Sequence, residues 1–217
     1  MTHSGFTVFL VDDDPGVLKS LTRLLRTRGY EVQAFASSEE FLSQHDPSIP
    51  GCAIVDVAMP GLDGLQLQAA LNAGDIPRPV TFITGVGDIP MSVRAMRAGA
   101  VDFLTKPLND KDLVAAITRA ADNDAKARQR QRELASINAR LTMLTPRERE
   151  VLAYVLVGRL NKQIAFELGT VEKTIKVHRG RMMAKLGVRT VAELMRFVQQ
   201  ADIDGPRTDR RADFLRS

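Results

Sequence analysis

A largely apolar segment that ends in a carboxylate, residues 52–56, constrains the fold of this chain more than any other feature. Such an uninterrupted segment predicts a strand that is buried on both faces, as in parallel sheets covered by helices. Pro60, Gly61 and Gly64 follow and predict a turn directly after the strand. Because open α/β sheets bind ligands beyond the carboxyl ends of their strands, Asp56 lies where a functional carboxylate is expected.

The first half of the chain repeats this arrangement. Helix signals separate further apolar segments, and one of them is the capping pair Ser37 and Glu40. The predicted strands cover residues 8–11, 30–35, 52–56, 79–83 and 101–104. Five strands alternating with five helices predict an α/β domain, with a parallel sheet and helices on both of its faces.

Polar side chains stand at the ends of four predicted strands, and they are Asp12 with Asp13, Asp56, Thr84 and Lys106. The carboxyl ends of parallel strands share one edge of a sheet, so we expect these groups to converge there. Carboxylate oxygens suit Mg²⁺, and an ammonium group adds positive charge against a phosphoryl group in transfer. Asp56 would be the nucleophile and would form an acyl phosphate. A single carboxylate at a strand end is more often a helix cap, but four matching ends favour a phosphorylation site.

On these residues, and on the segment Asp-Val-Ala-Met-Pro that starts at Asp56, residues 6–121 resemble the receiver domain of bacterial two-component response regulators. The resemblance implies a flavodoxin-like sheet of order 2-1-3-4-5, and a phosphoryl group that Asp56 accepts from a sensor histidine kinase. It further implies a Mg²⁺ (or Mn²⁺) ion held by Asp13, Asp56 and the backbone carbonyl of Ala58, with Asp12 assisting through water.

The same resemblance implies a switch next to the phosphorylation site. Thr84 and Lys106 would bind the phosphoryl oxygens, and Phe103 would turn inward together with Thr84. The peptide bond between Lys106 and Pro107 is expected to be cis.

Charge divides the chain into two halves. Residues 1–121 contain 10 Lys and Arg against 14 Asp and Glu, a net charge of −4, whereas residues 122–217 contain 20 against 12, a net charge of +8. A basic half suggests contact with a polyanion. The longest apolar runs are too short to span a membrane, the first residues carry no export signal, and the lone Cys52 excludes an internal disulfide. We therefore expect a cytoplasmic protein without a membrane partner.

The segment 122–143 is expected to be a helical linker. No proline occurs between Pro107 and Pro146, and the segment is rich in helix-forming residues. Apolar residues from this segment to the first residue after it recur at 3-4-3 spacing, as in a coiled-coil seam that pairs two copies: Leu134, Ile137, Leu141 and Leu144. The alternative is a flexible charged linker with a short helix.

The segment 144–200 predicts a small all-α domain. Thr145, Pro146 and Glu148 form a strong helix start, and a short helix, a glycine turn and a longer basic helix follow. This succession is typical of the helix-turn-helix motif, whose second helix enters the major groove of DNA.

The basic helix has two distinct faces at 100° per residue. Ile175, His178, Met182 and Leu186 should face the core, and the opposite face contains Lys173, Lys176, Val177, Gly180 and Arg181. Lys176 suits guanine, Val177 suits a thymine methyl, and Gly180 permits close approach. Thr174 and Arg179 on the flanks, and Lys162 in the preceding helix, suit phosphate groups.

Residues 144–198 resemble a LuxR-type DNA-binding domain through Leu-Thr-Pro-Arg-Glu-Arg-Glu-Val-Leu, Asn-Lys-Gln-Ile-Ala and Glu-Lys-Thr-Ile-Lys-Val-His-Arg. Together the two halves resemble the NarL/FixJ family of response regulators, and the FixJ branch most. The family implies a homodimer, at least when phosphorylated, in which the fourth helix of this domain takes part. The charged tail, residues 201–217, is expected to be disordered.

The sequence therefore predicts a phosphorylation-gated transcription regulator, not an enzyme beyond its own phosphotransfer and dephosphorylation. Its expected partners are a sensor histidine kinase, double-stranded promoter DNA, a second copy of the chain and RNA polymerase. One alternative is a receiver that meets a protein partner, with the basic helices as scaffold. A weaker alternative is a hydrolase that uses the acidic site on an external substrate.

Overall fold

The computed structural model describes residues 5–74, 76–85 and 89–202, and the chain divides into two compact units between Gln131 and Arg132. The strands are β1 (Thr7–Val11), β2 (Glu31–Phe35), β3 (Gly51–Asp56), β4 (Val80–Thr84) and β5 (Asp102–Thr105). The helices of the first unit are α1 (Pro15–Thr27), α2 (Ser38–Gln44), α3 (Gly64–Asn72) and α4 (Ile89–Arg97). Helix α5 (Asp110–Thr142) runs from the first unit into the second. The remaining helices are α6 (Pro146–Leu156), α7 (Asn161–Glu167), α8 (Glu172–Leu186) and α9 (Val191–Asp202).

The five strands form one parallel sheet in the order β2-β1-β3-β4-β5, as the sequence predicted. Strand β1 pairs with both β2 and β3, so that Leu10 lies opposite Ala34 on one side and Ile54 on the other. This order brings the end of β1 next to the end of β3, and the end of β4 next to both β3 and β5. The four predicted site positions therefore share one edge of the sheet.

The sheet is buried on both faces because successive side chains of each strand point to opposite sides. One face contributes Phe9, Val55 and Phe82 to a core that includes Phe41 of α2 and Leu67 of α3. The other face contributes Val8, Leu10, Ile54 and Ile83 to a core that includes Leu113 and Ile117 of α5. Each fully buried side chain of this size stabilises the fold by about 1.5–3 kcal/mol.

A buried charged cluster lies at the opposite edge of the sheet and consists of Arg78, Asp124 and Arg128, exposed by 4%, 2% and 9%. Arg128 donates to the Asp124 carboxylate at 2.8 Å and to the carbonyls of Pro47, Ser48 and Ile49. Arg78 also binds the Ile49 carbonyl, and its guanidinium lies 4.4 Å from the ring centre of Phe9. The cluster attaches α5 to the loop that precedes β3, and its α5 residues, Asp124 and Arg128, lie just beyond residue 121, the expected end of the receiver domain.

Helix α5 contains 33 residues, which corresponds to about 50 Å at 1.5 Å per residue. Three of the four residues predicted as a seam between two copies have another role. Ile137 and Leu144 are buried in the core of the second unit, and Leu141 packs against that core. The seam prediction is therefore wrong for these residues, since helices of the same chain cover them. Leu134 is half-buried, and its role as a seam residue stays a prediction.

The second unit packs its helices around Val151, Leu152, Ile164, Met182 and Leu194. Helix α6 begins with the predicted capping box. The Glu148 carboxylate accepts the Thr145 N–H at 2.9 Å, and the Thr145 hydroxyl accepts the Glu148 N–H at 3.3 Å. Helix α8 has Val171 at its N-cap position and therefore begins without a side-chain hydrogen bond to its first N–H groups.

The predicted tail, 201–217, lies outside the described residues except for its first two, which are the last residues of α9. Among the described helices, none is both long enough and apolar enough to cross a membrane.

Candidate functional site

Asp56 is the last residue of β3 and is only 6% exposed. One carboxylate oxygen, Oδ2, accepts the backbone N–H of Ala58 at 2.8 Å. Helix α3 begins close to the strand end, and a Cβ atom at Gly64 would lie 2.7 Å from the Asp56 carbonyl oxygen and 2.9 Å from the Phe82 ring. The glycine that signals a turn in the sequence is therefore required for the helix to begin here.

The Lys106 ammonium bridges two carboxylates from different strands. Its Nζ donates to Asp56 Oδ1 at 2.6 Å and to Asp12 Oδ2 at 2.8 Å. Partial burial lowers the pKa of Lys106, but the hydrogen bonds and charges of Asp12 and Asp56 outweigh it, so the pKa lies above its ordinary value. The ammonium stays charged at neutral pH, and the Lys106 side chain is 26% exposed, so it is not sealed from solvent.

Asp12 and Asp13 differ in their surroundings, although they are adjacent. Asp12 is 2% exposed, and its second oxygen accepts the Asp14 N–H at 2.9 Å. Asp13 is exposed. Asp12 and Asp56 both accept a hydrogen bond from the Lys106 ammonium. Within the described ranges, no three or more acidic, histidine or cysteine side chains are arranged to hold a metal ion. The chemistry of the donors still fits Mg²⁺, because they are hard oxygen atoms with more negative charge than one lysine neutralises.

The two predicted switch residues lie on adjacent strands. Thr84 is 5% exposed, and its backbone carbonyl accepts the Lys106 N–H at 2.7 Å. Phe103 of β5 is half-buried, with its ring centre 6.3 Å from that of Phe82. The peptide bond between Lys106 and Pro107 is cis, as predicted.

Cys52 lies within β3 and is fully buried. Burial raises the pKa of its thiol to about 12. The reactive thiolate therefore does not form near neutral pH, and Cys52 takes no part in the chemistry of the site.

The predicted DNA-reading helix is α8, and its faces divide as its periodicity indicated. Ile175, Met182 and Leu186 are buried, and His178 is half-buried. The opposite side is exposed and contains Lys173, Lys176, Val177, Gly180 and Arg181. Of the remaining predicted DNA-contact residues, Lys162 is exposed, and Thr174 and Arg179 are half-buried.

The structure adds contacts that our sequence analysis missed. Lys176 forms an ion pair with Glu172 at 3.5 Å, which the i, i+4 spacing could have revealed. Arg179 donates to the side-chain oxygen of Asn161 in α7 at 3.0 Å, a contact between helices for which the sequence has no local signal.

Comparison with known protein families matches both units. The family described as response regulator receiver domain matches residues 8–118, and the family described as bacterial regulatory proteins, luxR family, matches residues 142–198. The chain belongs to the response regulators with a LuxR-type DNA-binding domain. The prediction of a transcriptional response regulator is therefore confirmed, and the two alternatives are not supported.

This response regulator is similar to nodulation protein W of Bradyrhizobium diazoefficiens, with 44% identity over 203 residues, which cover 94% of the chain and 89% of the relative. Its structure is similar to that of the response regulator StyR, with a TM-score of 0.79 and 43% identity, covering 91% of the chain and all of StyR. Full-length FixJ from B. japonicum gives a TM-score of 0.56 and 36% identity, covering 94% of the chain and all of FixJ.

Proposed function

We propose that Asp56 accepts a phosphoryl group from the phosphohistidine of a sensor kinase, and that this modification controls DNA binding by the second unit. The observation that supports it most is the Lys106 bridge between Asp12 and Asp56. It fixes the Asp56 carboxylate at the sheet edge and holds an ammonium where phosphoryl oxygens would arrive. In the transfer, an Asp56 carboxylate oxygen forms the bond to phosphorus as the bond from phosphorus to the histidine nitrogen breaks.

The divalent ion that receiver domains generally bind would be Mg²⁺ or Mn²⁺. Its donors would be the carboxylates of Asp12, Asp13 and Asp56 and the backbone carbonyl of Ala58. The ion would supply positive charge against the phosphoryl oxygens. Our sequence analysis let Asp12 act only through water, whereas this proposal makes it a direct ligand. The reason is that the carboxylates of Asp12 and Asp56 both accept a hydrogen bond from the Lys106 ammonium.

Phosphorylation would draw Thr84 and Phe103 inward and change the surface formed by α4 and β5. Helix α4 presents Ile89, Val93 and Met96 on one side, exposed by 77%, 43% and 47%. Such an exposed apolar stripe supports pairing of two receivers, which would bring two α8 helices to paired half-sites on DNA.

In the DNA complex, Lys176 and Val177 would contact base edges, and Gly180 would allow close approach. The other cations, Lys162, Lys173 and Arg181, would contact phosphates. The other proposed partners are the kinase and, at the promoter, RNA polymerase. Because the chain would meet these partners in the cytoplasm, it would act there.

The test is DNA selection from a random pool, with and without beryllofluoride as the phosphoryl mimic. For the wild-type chain we expect the mimic to enrich a paired-half-site sequence. Asp56→Asn should show no such response. Equal enrichment by both proteins, with or without the mimic, would overturn the proposal.

A further inference from the structure

The loop between β3 and α3, residues 57–63, carries backbone groups that meet Asp56. The Ala58 N–H donates to Asp56 Oδ2 at 2.8 Å, and the Ala58 carbonyl is one of the proposed donors for the divalent ion. Ala58 is exposed, and its side chain ends at Cβ, so its own packing does little to fix it. The conformation of the whole loop therefore decides where these two groups lie relative to the Asp56 carboxylate.

The two ends of this loop are fixed by the sheet and by α3. The Val57 N–H donates to a carbonyl of β4 at 3.1 Å, and the Gly64 N–H donates to the Val57 carbonyl at 3.2 Å. Between these ends, Met59 is buried, but Pro60 and Gly61 are exposed. Because a glycine backbone has access to many conformations, the exposed part needs a further contact to adopt a single one.

Glu39 of α2 supplies this contact. Its Oε1 accepts the Leu62 N–H at 2.9 Å and so joins two segments that are 23 residues apart. The same oxygen would lie 2.6 Å from a Cβ atom at Gly61, and Gly61 has a φ angle of +76°. The carboxylate thus occupies the space that a side chain at Gly61 would take, directly before the N–H group that it accepts.

The Glu39 carboxylate is charged, and the helix that carries it is well anchored. The N–H groups of Glu39 itself and of Leu62 hold the pKa of this carboxyl below its ordinary value, so it is ionised at neutral pH. Hydrogen bonds to an ionised acceptor are stronger than those between neutral groups. Helix α2 is fixed to the core by Phe41, which is fully buried against the rings of Phe9 and Phe35. Glu39 therefore holds the loop from a fixed position.

We propose that Glu39 is a positioning residue for the phosphorylation of Asp56, which acts by keeping the N–H and the carbonyl of Ala58 in place beside the acidic site. This role rests on the proposed phosphorylation of Asp56 and adds to it a residue from outside the sheet. Glu39 contacts the loop and not the reacting groups, so its loss should weaken the binding of the ion more than the transfer step. The Mg²⁺ concentration for half-maximal modification should rise, while the rate at saturating Mg²⁺ should change little.

Three variants separate this role from a general effect of charge. Glu39→Ala removes the acceptor of the Leu62 N–H, whereas Glu39→Gln keeps an acceptor oxygen and loses only the charge. Glu31→Ala is the matched control. Glu31 is an exposed acid at the first residue of β2, so it lies at the opposite end of the strands from the acidic site, and its loss changes the net charge equally.

The first measurement is the rate at which acetyl phosphate modifies the full chain over a series of Mg²⁺ concentrations, followed by intact mass. We expect Glu39→Ala to need about fivefold more Mg²⁺ for half-maximal modification than Glu31→Ala. Glu39→Gln should recover most of this difference, because it still accepts the Leu62 N–H. An equal Mg²⁺ requirement in Glu39→Ala and Glu31→Ala would overturn the inference.

The second measurement is amide hydrogen exchange without Mg²⁺ or phosphodonor, which reports on the loop itself. In Glu39→Ala we expect exchange to rise in residues 57–63 and to stay unchanged in β1, since the core is not affected. Exchange in residues 57–63 equal to that of Glu31→Ala would also overturn the inference. A wild-type chain that acetyl phosphate does not modify at any Mg²⁺ concentration would instead overturn the proposed function itself.

Discussion

At the scale of single residues, Lys106 is the group on which the acidic site depends. It is the cation between Asp12 and Asp56, so replacing it with methionine leaves two converging carboxylates without a counter-charge. We expect Lys106→Met to lose about 1–3 kcal/mol of stability. Added Mg²⁺ should restore part of this loss, so its melting temperature should rise more with Mg²⁺ than that of the wild-type chain.

Lys111→Met is the control for this prediction, because Lys111 is an exposed lysine on α5 and its loss changes the net charge equally. Thermal unfolding of the three proteins with and without Mg²⁺ measures the effect. The same Mg²⁺-dependent shift in all three would contradict a divalent site at these carboxylates.

The ion pair of Glu148 and Lys185 makes the second unit sensitive to acid. Glu148 is 2% exposed, and its Oε2 accepts from Lys185 Nζ at 2.6 Å. Burial raises the pKa of Glu148, but hydrogen bonds from Lys185 and Thr145 outweigh this and hold the pKa below its ordinary value of 4.5. Because the folded-state pKa is the lower one, the stabilisation is present above that ordinary value and is lost as the pH falls through the folded-state pKa.

Glu148→Gln tests this dependence, since glutamine still accepts the hydrogen bonds but carries no charge. At neutral pH we expect the variant to be about 1–2 kcal/mol less stable than the wild-type chain, as measured by urea unfolding. The difference should shrink below about pH 4.5, where the wild-type carboxylate becomes protonated. A difference that stays constant into strong acid would contradict the role of this ion pair.

At the scale of elements, Arg128 anchors α5 to the loop that precedes β3. The residue makes four hydrogen bonds, to Asp124 and to three carbonyls of the loop before β3. Replacing it with methionine leaves the buried Asp124 carboxylate unpaired, a change that typically costs about 3–5 kcal/mol. We expect amide hydrogen exchange to rise in residues 121–131, while β1 and β3 stay protected.

Arg132→Met is the matched control, because Arg132 is an exposed arginine on the same helix. Its exchange pattern should equal that of the wild-type chain. If Arg128→Met leaves exchange in α5 unchanged, the cluster does not anchor the helix.

The helix α5 also shows how far the sequence determines an element. The absence of proline and the many helix-forming residues predicted a helical linker, and in the structure the linker is part of one long helix. The spacing of Ile137, Leu141 and Leu144 indicated a buried stripe, but a stripe has the same period whether a second copy or the same chain covers it. The partners of Arg128 are mostly backbone carbonyls, which leave no residue pattern in the sequence.

The acidic site was easier to predict. Parallel strands place all their carboxyl ends on one edge, so the identity of the residues at those ends was sufficient to bring Asp12, Asp56 and Lys106 together. The resemblance implied Asp13 as the direct metal ligand, with Asp12 assisting through water, whereas the structure buries Asp12 and leaves Asp13 exposed. In the loop after β1 the backbone directs the Asp12 side chain towards the interior and the Asp13 side chain towards solvent. Two adjacent aspartates have no difference in sequence that would predict this.

At the scale of the whole molecule, the two halves of the chain have opposite net charge. Residues 1–121 have a net charge of −4 and contain the carboxylates of the proposed phosphorylation site, and residues 122–217 have a net charge of +8 and contain the predicted DNA-contact residues. The proposed modification thus lies in the acidic half of the chain, and the proposed contact with a polyanion lies in the basic half. The central claim is that modification of Asp56 is the input to this system.

Intact mass spectrometry after incubation with acetyl phosphate and Mg²⁺ tests this claim most directly. The account predicts that the wild-type chain gains the mass of one phosphoryl group and that Asp56→Asn gains none. An unchanged wild-type mass, or an equal gain in both proteins, would contradict it.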